Sequence, residues 1–143
     1  MLTENDVVAH VANHLRASGY RIDAELRTDE HGIDVDAVHP RRRQRVLIEA
    51  KGETSSKKDT ARFGAPFTRA QCKTHLAVAL LAVVRLRDQY GHSPRTRVAL
   101  ALPDLEPHLT LAKTIRRSLR TLGVGLFWVS TTGRVRLDSP WRL

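Results

Sequence analysis

Two short stretches carry acids at spacings that could do chemistry. Ile33-Asp34-Val35-Asp36-Ala37 alternates apolar and acidic side chains, and Val46-Leu47-Ile48-Glu49-Ala50-Lys51 ends on a glutamate and a lysine two residues apart. A period of two marks a half-buried strand, and Pro40-Arg41-Arg42-Arg43 between the stretches reads as a turn. An antiparallel hairpin centred between Arg41 and Arg42 sets Asp34 opposite Glu49, Val35 opposite Ile48, Ala37 opposite Val46 and Ile33 opposite Ala50. One face is then apolar, and the other holds Asp34, Asp36, Glu49 and Lys51. A shift of two residues would set Asp36 opposite Glu49 instead.

Facing carboxylates raise each other's proton affinity, and a cation between them relieves the repulsion. Oxygen donors select a hard ion, Mg²⁺ or Mn²⁺. Lys51 projects to the same face, where an ammonium group can meet a phosphate or orient an attacking water. The chemistry implied is metal-assisted hydrolysis of a phosphodiester. The bland alternative is a solvated strand with alternating charge.

The elements that must position these residues follow from periodicity. Thr3 and Asp6 open a helix whose inner face is Val7, Val8, Val11 and Leu15, and Gly19 ends it. A short strand at residues 20–26 precedes the hairpin. Residues 53–68 are polar and read as a mobile loop. Thr68 and Gln71 fit a capping box that opens a long helix, residues 69–87, apolar nearly all round and therefore predicted to be buried. A buried strand at 98–102 follows. Pro103-Asp104 then starts a helix with Leu111, Ile115 and Leu119 inward and Lys113, Arg116, Arg117 and Arg120 outward. Residues 124–129 form another buried strand, and residues 133–137 pair beside it. The expected fold class is α/β, a mixed central sheet flanked by helices in a single domain over residues 1–143.

Length and composition agree. The chain has 143 residues, 41% hydrophobic and 27% charged, which suits one globular domain and excludes a disordered or coiled-coil chain. The longest apolar run, residues 76–84, is too short to span a membrane. The N-terminus lacks a signal-peptide pattern and the lone Cys72 excludes an intrachain disulfide, so a reduced, cytoplasmic protein is expected. The formal charge is +9, unevenly spread: residues 1–39 carry three basic and eight acidic groups, whereas residues 40–73 carry ten basic and three acidic. A basic surface attracts polyanions, nucleic acid first among them. Lys57, Lys58, Arg62, Arg69 and Lys73, with Phe63 and Phe67 interleaved, leave the acidic site directly and form the expected nucleic-acid clamp.

Other candidates carry less. His10 and His14 lie one helical turn apart but lack a third zinc ligand, so a solvated helix face is expected. His75 shares a face with Gln71 and reads as a surface residue at a helix start. Cys72 reads as packing. No P-loop and no dinucleotide fingerprint is present.

At Gly32-Ile33-Asp34 and Ile48-Glu49-Ala50-Lys51-Gly52 the chain resembles the PD-(D/E)xK nuclease superfamily. The resemblance spans residues 2–102. It implies an αβββαβ restriction-endonuclease-like core, with the C-terminal helix and strand as an elaboration. It further implies Asp34, Glu49 and the Ala50 carbonyl as ligands of Mg²⁺ or Mn²⁺, with Lys51 as the catalytic lysine. Gln71 matches a glutamine that many relatives carry on the next helix, besides its capping role, and Glu4 is a candidate for a first-helix acid. Ile33 stands where the motif has proline, and His75 where one branch has tyrosine. The expected function is a metal-dependent nuclease acting on DNA, as a homodimer or with a partner subunit. A catalytically silent binding module of the same fold is the rival.

Overall fold

The computed structural model describes residues 1–28, 30–59, 61 and 63–143. Six strands form one mixed sheet in the order of the chain: β1 (Arg21–Glu25), β2 (Val35–His39), β3 (Gln44–Ala50), β4 (Thr96–Pro103), β5 (Val124–Val129) and β6 (Val135–Asp138). β1, β2 and β3 make an antiparallel meander, β3, β4 and β5 run parallel, and β6 returns antiparallel to β5. The two parallel steps require crossovers. These are α2 (Arg69–Tyr90) and α3 (His108–Thr121), while α1 (Glu4–Ala17) precedes the sheet. This is the α/β architecture expected, consistent with a restriction-endonuclease-like fold.

The helices divide between the two faces of the sheet. Val7, Val8, Val11 and Leu15 of α1 pack with Val35, Ala37, Val46, Ile48, Ala99 and Ala101. On the other face Leu76, Ala79 and Val83 of α2 and Ala112 and Leu119 of α3 cover Leu47, Val98, Leu100 and Leu102. β4 is therefore apolar on both sides, as a central parallel strand must be. Each fully buried Val or Leu contributes roughly 1.5–3 kcal/mol of transfer free energy. At the outer edge, the register of β1 against β2 slips between Ile22 and Ala24, a bulge at Asp23.

Three expectations change. Pro103 ends β4 rather than opening a helix: the Asp104 N–H continues the ladder to the Val129 carbonyl at 2.8 Å, and α3 starts only at His108. α2 is not buried all round. Its covered residues, Cys72, Leu76, Ala79 and Val83, form one stripe, while Val78 and Leu81 are 57% and 54% exposed. His10 and His14 are half-buried rather than solvated, and His14 sets its ring edge-on to Phe127 at 6.3 Å. Among the described residues, no helix is long and apolar enough to cross a membrane.

The start of α1 is fastened to the chain that leaves β3. Thr3 caps the helix in a capping box with Asp6. The Leu2 N–H donates to Glu53 Oε1 at 2.6 Å, the Glu53 N–H returns to the Leu2 carbonyl at 2.9 Å, and Thr3 bridges Thr54. Gly52 permits this approach, since a Cβ there would lie 2.4 Å from the Glu4 nitrogen and 2.6 Å from the Thr3 carbonyl carbon. Both are backbone atoms that cannot step aside. Gly52→Ala is expected to lower stability by about 1–3 kcal/mol, the usual cost of overpacking, as a shifted urea midpoint.

Candidate active site

The hairpin register is the expected one: Val35 pairs with Ile48 and Ala37 with Val46. β2 begins only at Val35, so Asp34 stands one residue before it. Gly32, at φ +142°, turns the chain into this position. The Leu26 N–H fixes the Asp34 carbonyl at 2.9 Å, and the Ala50 N–H donates to Asp34 Oδ2 at 2.7 Å. Ile33, outside the ladder, packs on the α2 side rather than facing Ala50 on the α1 side. Leu47 also lies on the face of the acids, buried under α2 between Glu49 on one side and Arg45 on the other.

Asp36 is turned to a different partner. Arg45, diagonally across the hairpin, grips it with two hydrogen bonds of 3.0 and 2.7 Å. The alternative register is not adopted, and Asp34 is the acid near Glu49.

Lys51 is the hub. Its Nζ lies 2.8 Å from Glu49 Oε1 and 3.2 Å from Glu4 Oε2, with all three side chains no more than 21% exposed. Burial acts to lower the Lys51 pKa, but Glu4 and Glu49 outweigh it and the net shift is upward. Lys51 is therefore an ammonium ion at neutral pH, able to donate and unable to act as a base. Burial first, and the charge of Glu49 second, push Asp34 up to about 7, against the Ala50 hydrogen bond and Lys51. Three carboxyl groups thus share one ammonium in a half-dry site.

That imbalance is the test for a divalent cation. Among the described residues, no three His, Cys, Asp or Glu side chains are grouped closely enough to hold a metal by themselves. Asp34 and Glu49 offer two carboxylates. The Lys51 N–H bonds the Ala101 carbonyl on the β4 side, so Ala50 turns its own amide edge to the Asp34 side. Two carboxylates, one carbonyl and water suit Mg²⁺, which keeps several waters and takes one or two carboxylates. The donor set fits the ion.

Gln71 completes the capping box: its Oε1 accepts the Thr68 N–H at 2.9 Å, and its N–H donates to Thr68 Oγ1 at 3.2 Å. The side chain that faces the site from α2 is instead His75, one turn later. Burial and the charge of Lys51 lower its pKa, against Glu4. Its ring meets Phe67 edge-on at 4.4 Å. His108, 1% exposed at the start of α3, lies behind His75 and is held down to about 4 by burial and then by His75. His75 and Phe67 wall a cavity of about 230 Å³ that also takes in Glu4, Lys51, Ser56 and Lys57. The i+4 spacing from Gln71 was the only sign of His75 in the sequence.

Of the predicted clamp, Lys57 lines the cavity, and Lys58, Arg69 and Lys73 are exposed; Arg62 lies outside the described residues. A hollow of about 390 Å³ between α3 and β6 has its arginines already paired, Arg116 with Asp138 and Arg136 with Asp104. Its acids are not in excess, so it shows no comparable charge imbalance.

No protein-family model matches the chain, and no curated protein sequence does. Two solved structures are similar in fold. One is a fdxN element excision controlling factor protein from Anabaena variabilis, 17% identical, with a TM-score of 0.54 over 94% of this chain and 98% of that one. The other is an XisH family protein from Nostoc punctiforme, 16% identical, with a TM-score of 0.50 over 95% and 97%. Identities this low establish the likeness of fold alone.

Asp34 ties the site to pH. Its folded pKa of about 7 lies above the ordinary 3.8. The folded state therefore holds the proton more tightly, and the stability this gives is full below 3.8 and lost as pH rises through about 7. In chelator, Asp34→Asn should be more stable than wild type at pH 8, on the order of 2 kcal/mol, with the gap closing toward pH 4. Urea titrations across pH measure it, and parallel profiles would refute the buried charge.

Proposed function

We propose that the chain is a divalent-metal-dependent nuclease of the PD-(D/E)xK type that hydrolyses phosphodiester bonds in DNA. The observation that carries this reading is the surplus of carboxylate charge around Lys51, at the end of a hairpin that brings Asp34 and Glu49 together. Asp34, Glu49 and the Ala50 carbonyl would hold Mg²⁺ or Mn²⁺. When bound, the ion polarises a phosphate oxygen and lowers the pKa of a water. The Lys51 ammonium supplies a positive donor for the phosphate or for the attacking water, and Glu4 holds it in place from α1. Exposed Lys58, Arg69 and Lys73, with Lys57, meet the strand on its way in. That one protein of similar fold is an element excision controlling factor is compatible with a chain that handles phosphodiester bonds.

One observation favours a second reading. Lys51 already pairs with both Glu49 and Glu4, an internal counter-ion that serves a silent nucleic-acid-binding module as well. Cleavage separates the two. The purified chain, given plasmid or single-stranded DNA with Mg²⁺ or Mn²⁺, should cut, and chelator should stop it. Lys51→Ala and Glu49→Gln should slow cutting on the order of 100-fold or more. Glu4→Gln, one step removed, should slow it about 10-fold. Salt-sensitive binding without cutting would select the silent module, and a Lys51→Ala variant as active as wild type would remove Lys51 from the chemistry.

A further inference from the structure

The cavity beside Lys51 is not needed to hold a metal or a phosphate, and its walls are of another kind. Phe67 and His75 meet edge-to-face on one side. Thr28 and Ser56 add short polar side chains to the lining. At about 230 Å³ the space is below the roughly 300–1,000 Å³ of sites for drug-sized ligands. It suits one flat heterocycle with polar edges. Lys51 and Lys57 border it, and Lys51 Nζ is also 2.8 Å from Glu49. A ring seated here lies within one nucleotide of a phosphate at Lys51.

We propose that this cavity receives one unpaired nucleobase of the substrate, packed against Phe67 and His75, so that the site acts on single strands, overhangs or locally opened duplex. The proposal rests on the reading that Lys51 meets a nucleic-acid phosphate. A base within a duplex is stacked and paired, and must leave the stack to enter such a cavity. Aromatic walls accept any base by its π-face, so the preference is for strandedness rather than for sequence.

Binding measured in chelator tests the cavity without asking for catalysis. Fluorescence anisotropy compares labelled single-stranded DNA or RNA with the duplex of the same sequence. The single strand should bind at least 10-fold tighter than the duplex. Phe67→Ala should weaken single-strand binding on the order of 10-fold and leave duplex binding unchanged. Since Phe67 also packs on His75, Ser56→Leu, which fills the cavity from its rim, should reproduce the loss, and Phe67→Trp should restore binding. Equal affinity for single strand and duplex, or single-strand binding untouched by Ser56→Leu, would overturn the proposal. A chain that cuts duplex with no preference loses the base site and remains a nuclease. A chain that cuts nothing but loses single-strand binding in both variants keeps the base site and loses the nuclease.

Discussion

A single ammonium group stands among three carboxyl groups in a largely buried site. Lys51 neutralises Glu49 and Glu4 in part, and Asp34 is left with a proton affinity near neutral pH. The rest of the molecule serves to keep these groups in that unfavourable company. Glu4 must come from α1, Asp34 from the approach to β2, and Glu49 and Lys51 from the end of β3. The α1 contribution depends on the missing side chain at residue 52, because any Cβ there would meet the backbone of Thr3 and Glu4.

The polarity of the sheet places the site. β3, β4 and β5 run parallel and end on the same side, and the helices that connect them start there. Glu4 opens α1, His75 lies in the second turn of α2, and His108 opens α3. Helix N-termini carry partial positive charge, which offsets some of the carboxylate excess and favours any anion that docks. The carboxyl ends of parallel strands are where α/β folds place their ligands.

Much of this was legible in the sequence, because strand pairing is read from alternation and turn position together. Val35, Ala37, Val46 and Ile48 lock the register through their shared burial, and Asp34 and Glu49 follow as passengers. The choice between Asp34 and Asp36 was not legible. Alternation survives a shift of two residues; the register adopted decides it, and Arg45 then holds Asp36. Ile33 escaped because alternation holds only inside the ladder, and the ladder begins two residues later. The bare side of α2 escaped for the opposite reason: a helix apolar all round does not say which side the sheet covers. His75 owes its place to the way α2 lays Cys72, Leu76, Ala79 and Val83 on the sheet, which no spacing rule reports.

The slip at Asp23 has a meaning of its own. β1 is an outermost strand, and an outermost strand offers its spare amide and carbonyl groups to any other chain that drifts past. An irregular backbone at its midpoint breaks the even row that a newcomer would need, and Arg21, Asp23 and Glu25 bristle outward along it. The flank of the sheet that carries the acidic hairpin is thereby guarded against pairing edge to edge with another chain.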